Sequence, residues 1–446
     1  MRFHIPAVSC LKGKIFLPGD KSISHRAIIV SSLSKGETKI ENFLISEDTL
    51  RTLEVFRSMG VKIEEDRKKR TVVVYGRRLY GLKKPKSPLY MAGSGTTCRL
   101  LLGVLAGQNF EARIFGDRSL SRRPMSRVTE PLRKMGVTIE SKIKIQKSKG
   151  EEYLPITIRG CQSLRPISYR LPIPSAQVKS AILLAGLYAE GVTQITEPIK
   201  TRDHTERMLK AFRADIKRED VKIKIRGLKE LVSPRKIFIP SDISSTAFFI
   251  VGALILAGSS LVIKSVGLNP TRTGLIRILK RMGANIKIKS LRLEVKNFEP
   301  VGDVVVKTSN LRGTVVEAKE VPSLIDELPI LMVAACYAEG TTIIKGVGEL
   351  RVKETDRINS MVSNLKRMGA DIESEIKDGK LKIKEEVIVI RGGKSLRGIN
   401  LLSYGDHRTA MSLIIASLRA KGKSHIDDID CIKKSFPDFL GILFLS

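Results

Sequence analysis

The chain has 446 residues, of which 42% are hydrophobic and 28% charged, a balance that suits two or three globular domains and excludes a disordered polymer. Seventy-nine Lys and Arg against 46 Asp and Glu give a formal charge of +33, yet aromatic residues are only 5% and Trp is absent. Few side chains are left for stacking bases and the cations are spread along the chain. A solvated basic surface, with some arginines aimed at small anions, is expected rather than a nucleic-acid partner.

The opening MRFHIPAVSCLKGKIFL lacks an apolar core followed by a small-residue cleavage site, so no secretory leader is expected and the expected location is cytoplasmic. The longest glycine-interrupted apolar run, Ala247 to Gly258, is twelve residues, too short for a membrane span. The five cysteines (Cys10, Cys98, Cys161, Cys336 and Cys431) form no CxxC pair and the five histidines no HExxH, so reduced thiols and no metal are expected.

In chain order, PGDKSISHRA (18–27) comes first. Lys21, Ser22 and Arg26 fall at or just before a helix N-terminus that Ser22 or Ser24 is placed to cap. A phosphate there would meet backbone N–H groups, a hydroxyl and two cations; a capped helix with solvated cations is the alternative. AGSGTTCRL (92–100) is a Gly-rich helix opening in which Gly93 and Gly95 allow close backbone approach to a ligand. RRPM (122–125) adds Arg123, and LPIPSAQVKSAILLAGLYAEG (171–191) sets Ser175 and Gln177 at the mouth of an apolar helix. TRDHTERM (201–208) places Arg202 among capping residues. In VPSLIDELPIL, Asp326 and Glu327 directly precede a buried helix. RVKETDRI (351–358) is read as one helical turn, with Lys353 and Arg357 four apart on one face beside Glu354. DHR (406–408) opens the last long helix with Arg408, and Lys434 precedes Ser435-Phe436-Pro437. For these segments helix capping or surface pairing alone remains the alternative to ligand contact.

Six helix openings, near Ser24, Thr96, Ser175, Ser244, Asp326 and Asp406, recur about 70 to 80 residues apart. FRSMGVKIE, LRKMGVTIE, LKRMGANIKI and LKRMGADIE, with a weaker LKAFRADIK, repeat a helix closed by glycine and followed by a strand. The module reads strand, long helix, strand, helix, strand, strand. FLPGDKS and FIPSDIS echo each other across the halves, so two pseudo-equivalent domains of three modules are expected, with crossings at Pro18 and Pro240. The sixth copy stops before its closing strand, and Ser244 has no chemical partner block.

PGDKSISHRA, GSGTTCRL, RRPM, PSAQVKS, TRDHTE, IDELP, RVKETDR, DHR and KSFPDF, in this order, resemble the blocks of the 5-enolpyruvylshikimate-3-phosphate synthases, a family of enolpyruvyl transferases. The resemblance implies an α/β fold of two similar inside-out α/β barrel domains, each of three βαβαββ modules, with the active site in the interdomain cleft. The domains would be residues 19–240, and 1–18 with 241–446. It implies transfer of the enolpyruvyl group of phosphoenolpyruvate to the 5-hydroxyl of shikimate 3-phosphate, releasing phosphate, by a monomer without metal or organic cofactor. Shikimate 3-phosphate would be held by Lys21, Ser22, Arg26, Ser175, Gln177, Arg202, Asp326 and Lys353. Phosphoenolpyruvate would sit against Lys21, Gly95, Arg123, Gln177, Arg357, Arg408 and Lys434. Asp326 would be the base, and Glu354 with Lys21 would handle the proton on the methylene carbon. Gly93 stands where the family has Asn. A relative acting on UDP-N-acetylglucosamine carries Lys-Asn where this chain has Lys21-Ser22, which separates the two.

Overall fold

The computed structural model describes residues 2–146, 149–290, 298–378 and 384–445. Strand Lys12–Phe16 leads into helix Lys21–Ser32, strand Glu37–Glu41, helix Glu47–Ser58 and the hairpin Lys62–Asp66/Thr71–Tyr75. The same order recurs from Leu89–Tyr90, Ser168–Arg170, Lys236–Phe238 and Val315–Val316. Each copy makes a four-stranded mixed sheet: the lead strand runs parallel to the strand after the long helix, and the hairpin adds two antiparallel strands.

The first and fourth copies exchange lead strands. Lys236–Phe238 pairs with Glu37–Glu41, and Lys12–Phe16 pairs with Ser260–Gly267. The chain divides accordingly into two compact units: Gly19–Ile239 with Glu294–Glu299, and Met1–Pro18 with Pro240–Leu293 and Pro300–Ser446. The return at Glu299, which sequence reading grouped with the other domain, has a local cause. His204 Nδ1 lies 2.6 Å from the buried Glu299 carboxylate.

The sixth copy also differs from expectation. Its strands Asn400–Leu401 and His425–Ile426 have no hairpin after them, but Phe3–His4 pairs antiparallel with His425–Ile426 and takes the hairpin strand's place. The final helix, Phe439–Leu445, follows Pro437 and packs Phe439 on Phe248 and Phe249.

Each unit has its own apolar core built around three long helices. Ile243–Ile255 is buried along its whole length, as an all-round hydrophobic helix must be. Gly60, Gly136, Gly283 and Gly369 close the second helices at φ 84°, 103°, 91° and 95°, and in the weaker third copy Arg213 takes that conformation at 65°.

The caps correct the sequence reading. The Asp20 carboxylate, not Ser22 or Ser24, caps the first long helix through Ile23 N–H, while Ser24 Oγ is taken by Leu44 N–H at 3.1 Å. Ser94 rather than Thr96 caps Gly95–Leu105, Asp242 rather than Ser244 caps Ile243–Ile255, and Ser175 and Asp406 cap as expected. Asp326 lies in the 3-10 turn Ile325–Glu327, ahead of helix Leu328–Cys336, whose N-cap position is Glu327. All five cysteines are free, and among the described residues no helix is long and apolar enough to cross a membrane.

Candidate active site

In the Gly19–Ile239 unit, capping by Asp20 puts Lys21 and Ser22 in the first turn of their helix, with Lys21 Nζ 3.0 Å from Asp48 Oδ2. Arg26 follows one turn later, 4% exposed. Its Nε donates to Thr205 Oγ1 (2.6 Å), one terminal nitrogen to Ser180 Oγ (2.9 Å) and the other to the Ser22 carbonyl (2.9 Å). A guanidinium has five N–H groups, so this frame orients Arg26 without exhausting it. Burial pulls its pKa down to about 10 against Glu206 and Asp20, and the neighbouring charge of Arg202 adds to the drop; it remains a cation at neutral pH. Beneath this frame Lys179, fully buried, bridges Glu197 (3.2 Å) and Glu206 (2.8 Å), which Arg218 also binds at 3.1 Å each.

Gly95 is the first residue of its helix. A Cβ there would lie 2.8 Å from a terminal nitrogen of Arg99 and 3.0 Å from one of Arg123, so two guanidinium groups crowd a helix start, where the positive end of the helix dipole favours an anion. Gln177 joins them, accepting from Arg99 at 2.9 Å and donating to Thr96 Oγ1 at 3.0 Å. Ser175, as cap, accepts Val178 N–H at 3.4 Å.

In the Pro240-containing unit the focus is Arg357, 1% exposed and the first residue of helix Arg357–Arg367. Nε meets Asp406 Oδ2 at 3.0 Å, and the terminal nitrogens meet Asp326 Oδ1 at 3.4 Å and Glu354 Oε2 at 2.6 Å. Burial disfavours its charge, but Asp406, Glu354 and Asp326 outweigh that and hold its pKa above the ordinary value. Arg408 donates to the Asp326 carbonyl at 3.0 Å and stands 3.7 Å from its carboxylate. Asp406 accepts Arg408 and Thr409 N–H with its other oxygen. Asp326, Glu354, Arg357 and Arg408 thus form one cluster, and Lys434 lies half-buried at the end of the 3-10 turn Asp430–Lys434.

The shared helical turn expected for Lys353, Glu354 and Arg357 is not formed. Asp356 caps the helix at Asn359 N–H (3.0 Å), leaving Lys353 in extended backbone after the 3-10 turn Gly348–Val352. Ser244, without a chemical role on sequence grounds, donates to the buried Glu327 beside Asp326 and accepts from Arg272 at 2.8 Å. Arg99, which the sequence reading did not single out, stands against Gly95 and Gln177 because it follows Gly95 by four residues on one helix face. Among the described residues no group of three or more His, Cys, Asp or Glu is placed to hold a metal ion.

The family model for EPSP synthase (3-phosphoshikimate 1-carboxyvinyltransferase) matches residues 5–443. The chain is 48% identical over 443 residues to the 3-phosphoshikimate 1-carboxyvinyltransferase of Petrotoga mobilis, covering 99% of this chain and 98% of that one. The enzyme of the same name from Desulforamulus reducens is 46% identical, with 99% of each covered. The solved EPSP synthase of Acinetobacter baumannii superposes with a TM-score of 0.85 at 45% identity over 100% of this chain and 98% of that one. The enolpyruvyl transferase NikO of Streptomyces tendae, at 19% identity and a TM-score of 0.76, covering 100% of this chain and 97% of its own, shares the fold. With the two-unit α/β architecture and the acidic and basic clusters, these likenesses show that the chain belongs to the EPSP synthase family.

Proposed function

We propose that the chain transfers the enolpyruvyl group of phosphoenolpyruvate to the 5-hydroxyl of shikimate 3-phosphate and releases phosphate. The observation that carries this reading is Arg357, which has Asp326 and Glu354 within 3.4 and 2.6 Å in a chain matched by its family from residue 5 to 443. Asp326 takes the proton of the 5-hydroxyl as its oxygen attacks C2 of phosphoenolpyruvate. Glu354, with Lys21 contributing its charge, protonates the methylene carbon to give a tetrahedral adduct. Glu354 then removes a proton from the new methyl group. The C2–O bond to phosphate breaks, its electron pair leaves with phosphate, which takes up the proton held by Asp326, and the C2–C3 double bond re-forms.

Lys21, Ser22, Arg26, Ser175, Gln177, Arg202, Asp326 and Lys353 hold shikimate 3-phosphate. Lys21, the Gly95 backbone, Arg123, Gln177, Arg357, Arg408 and Lys434 hold phosphoenolpyruvate. Both substrates carry several negative charges, so fixed cations offset their repulsion and that of the developing charge. Positioning two bound reactants supplies about 7–11 kcal/mol of the barrier reduction. The enzyme works in the cytoplasm as a single chain. Purified protein given both substrates should release inorganic phosphate, and neither substrate alone should support it. Folded protein that releases none above a no-enzyme control overturns the assignment.

A further inference from the structure

A line of hydrogen bonds in the interior of the Gly19–Ile239 unit serves none of the roles above. His25 Nδ1 lies 2.6 Å from Thr52 Oγ1, Thr52 Oγ1 lies 2.7 Å from Thr97 Oγ1, and Thr97 Oγ1 lies 2.7 Å from Ser94 Oγ. Ser94 Oγ also accepts Thr97 N–H at 3.3 Å. His25, Thr52 and Thr97 are fully buried, and Ser94 is 1% exposed. The line therefore begins in the segment that carries Lys21 and Arg26. It ends on the cap of the helix whose first residue is Gly95.

Each hydroxyl has one proton to give and two lone pairs, so an accepting Nδ1 fixes the direction of every bond in the line, whereas a donating Nδ1 frees each of them to reverse. If Nδ1 accepts, Thr52 points its proton at His25, Thr97 at Thr52 and Ser94 at Thr97, and Ser94 turns only lone pairs outward. If Nδ1 donates, the Thr52 proton is released toward Thr97, Thr97 is free to donate to Ser94, and the Ser94 proton is then left over. His25 Nε2 decides between them, being buried with no hydrogen-bond partner among the described residues. With the proton on Nδ1 the orphan is a lone pair; with it on Nε2 the orphan is an N–H group, which folded proteins tolerate less well. The ring is neutral: burial, with Lys21 and Arg26, holds its pKa well below the ordinary value against the pull of Asp20.

We infer that His25 is fixed as its Nδ1–H tautomer and, through Thr52 and Thr97, leaves the Ser94 hydroxyl proton for the anion bound at the Gly95 helix start. This rests on the assignment of phosphoenolpyruvate to Gly95 and Arg123. Ser94 becomes a binding residue of that site, and His25 and Thr52 become positioning residues.

Two measurements on the full chain test it. Long-range 1H–15N correlation spectra of histidine-labelled protein near neutral pH should give the Nδ1–H pattern for His25 without any substrate; an Nε2–H or imidazolium pattern overturns the inference. In steady-state phosphate release, Ser94→Ala should raise KM for phosphoenolpyruvate about tenfold, the scale of one hydrogen bond to a charged group, with KM for shikimate 3-phosphate unchanged. Thr52→Val should raise it by a smaller factor, Thr52→Ser should restore it, and Ser94→Ala/Thr52→Val should be no worse than Ser94→Ala alone. An unchanged KM in Ser94→Ala, or additive effects in the double variant, overturns the inference. Should no variant or wild-type protein turn over, the functional assignment fails, while the spectra still report the tautomer.

Discussion

Arg357 commits three nitrogens to three carboxylates, and the consequences of changing it differ from those of changing its partners. Asp406 is fully buried, so Arg357→Met leaves a buried anion without its cation and should lower stability by up to about 3–5 kcal/mol, read as a fall in denaturant midpoint. Arg357→Lys restores charge but not the fork, and should recover stability better than turnover. Asp326→Asn and Glu354→Gln are subtler. Each keeps its size and removes proton transfer, so kcat should fall about 10²–10⁴-fold while calorimetric binding of shikimate 3-phosphate persists. Turnover that is unchanged in either variant removes its assigned role.

The long helices set where these residues stand, and their packing leaves little slack. A Cβ on Gly103 would lie 2.2 Å from the carbonyl oxygen of Ala181 in helix Ala176–Gly186. Gly103→Ala must therefore push apart the two helices that present Gly95 and Gln177. It should cost about 1–3 kcal/mol in a denaturant melt and raise KM for phosphoenolpyruvate as well. The helices themselves were legible in the sequence, because twelve-residue apolar stretches and glycine-closed repeats are local patterns. Their exact starts were not. PGDKSIS offers several capping side chains; Asp20 takes the role, while Ser24 is engaged by Leu44 from a neighbouring turn, a contact that only folding supplies. Likewise Lys353 was placed on a helix that Asp356 begins later, its free oxygen held by Arg351 at 2.6 Å. The cations of the site could be read from ordered motifs. The cluster around Arg357 could not, since two of its carboxylates come from 31 and 49 residues away and only folding brings them in.

Exchange of the lead strands makes the two units unequal as pieces of chain. Gly19–Ile239 is continuous and contains its own exchanged strand, Lys236–Phe238. It also holds Lys21, Ser22, Arg26, Ser175, Gln177 and Arg202. What it lacks is Glu299, beside His204 and 3.9 Å from Arg207. Made alone, it should fold cooperatively with a lower melting temperature, bind shikimate 3-phosphate weakly and release no phosphate. The fragment 240–446 is in the opposite position. Without Lys12–Phe16 the strand Ser260–Gly267 is a bare sheet edge, and without Phe3–His4 the strand His425–Ile426 loses its antiparallel partner. This fragment should therefore lack fixed tertiary structure or aggregate, seen as a lost near-ultraviolet circular dichroism signal. The join needed to repair it is already close: Asp242 N–H donates to the Pro18 carbonyl at 3.1 Å and Ser241 Oγ to that of Leu17 at 3.0 Å. Residues 1–18 fused directly to 240–446 should recover the signal and a cooperative melt. Recovery in the unfused fragment would mean that the exchanged strands are not what completes this unit.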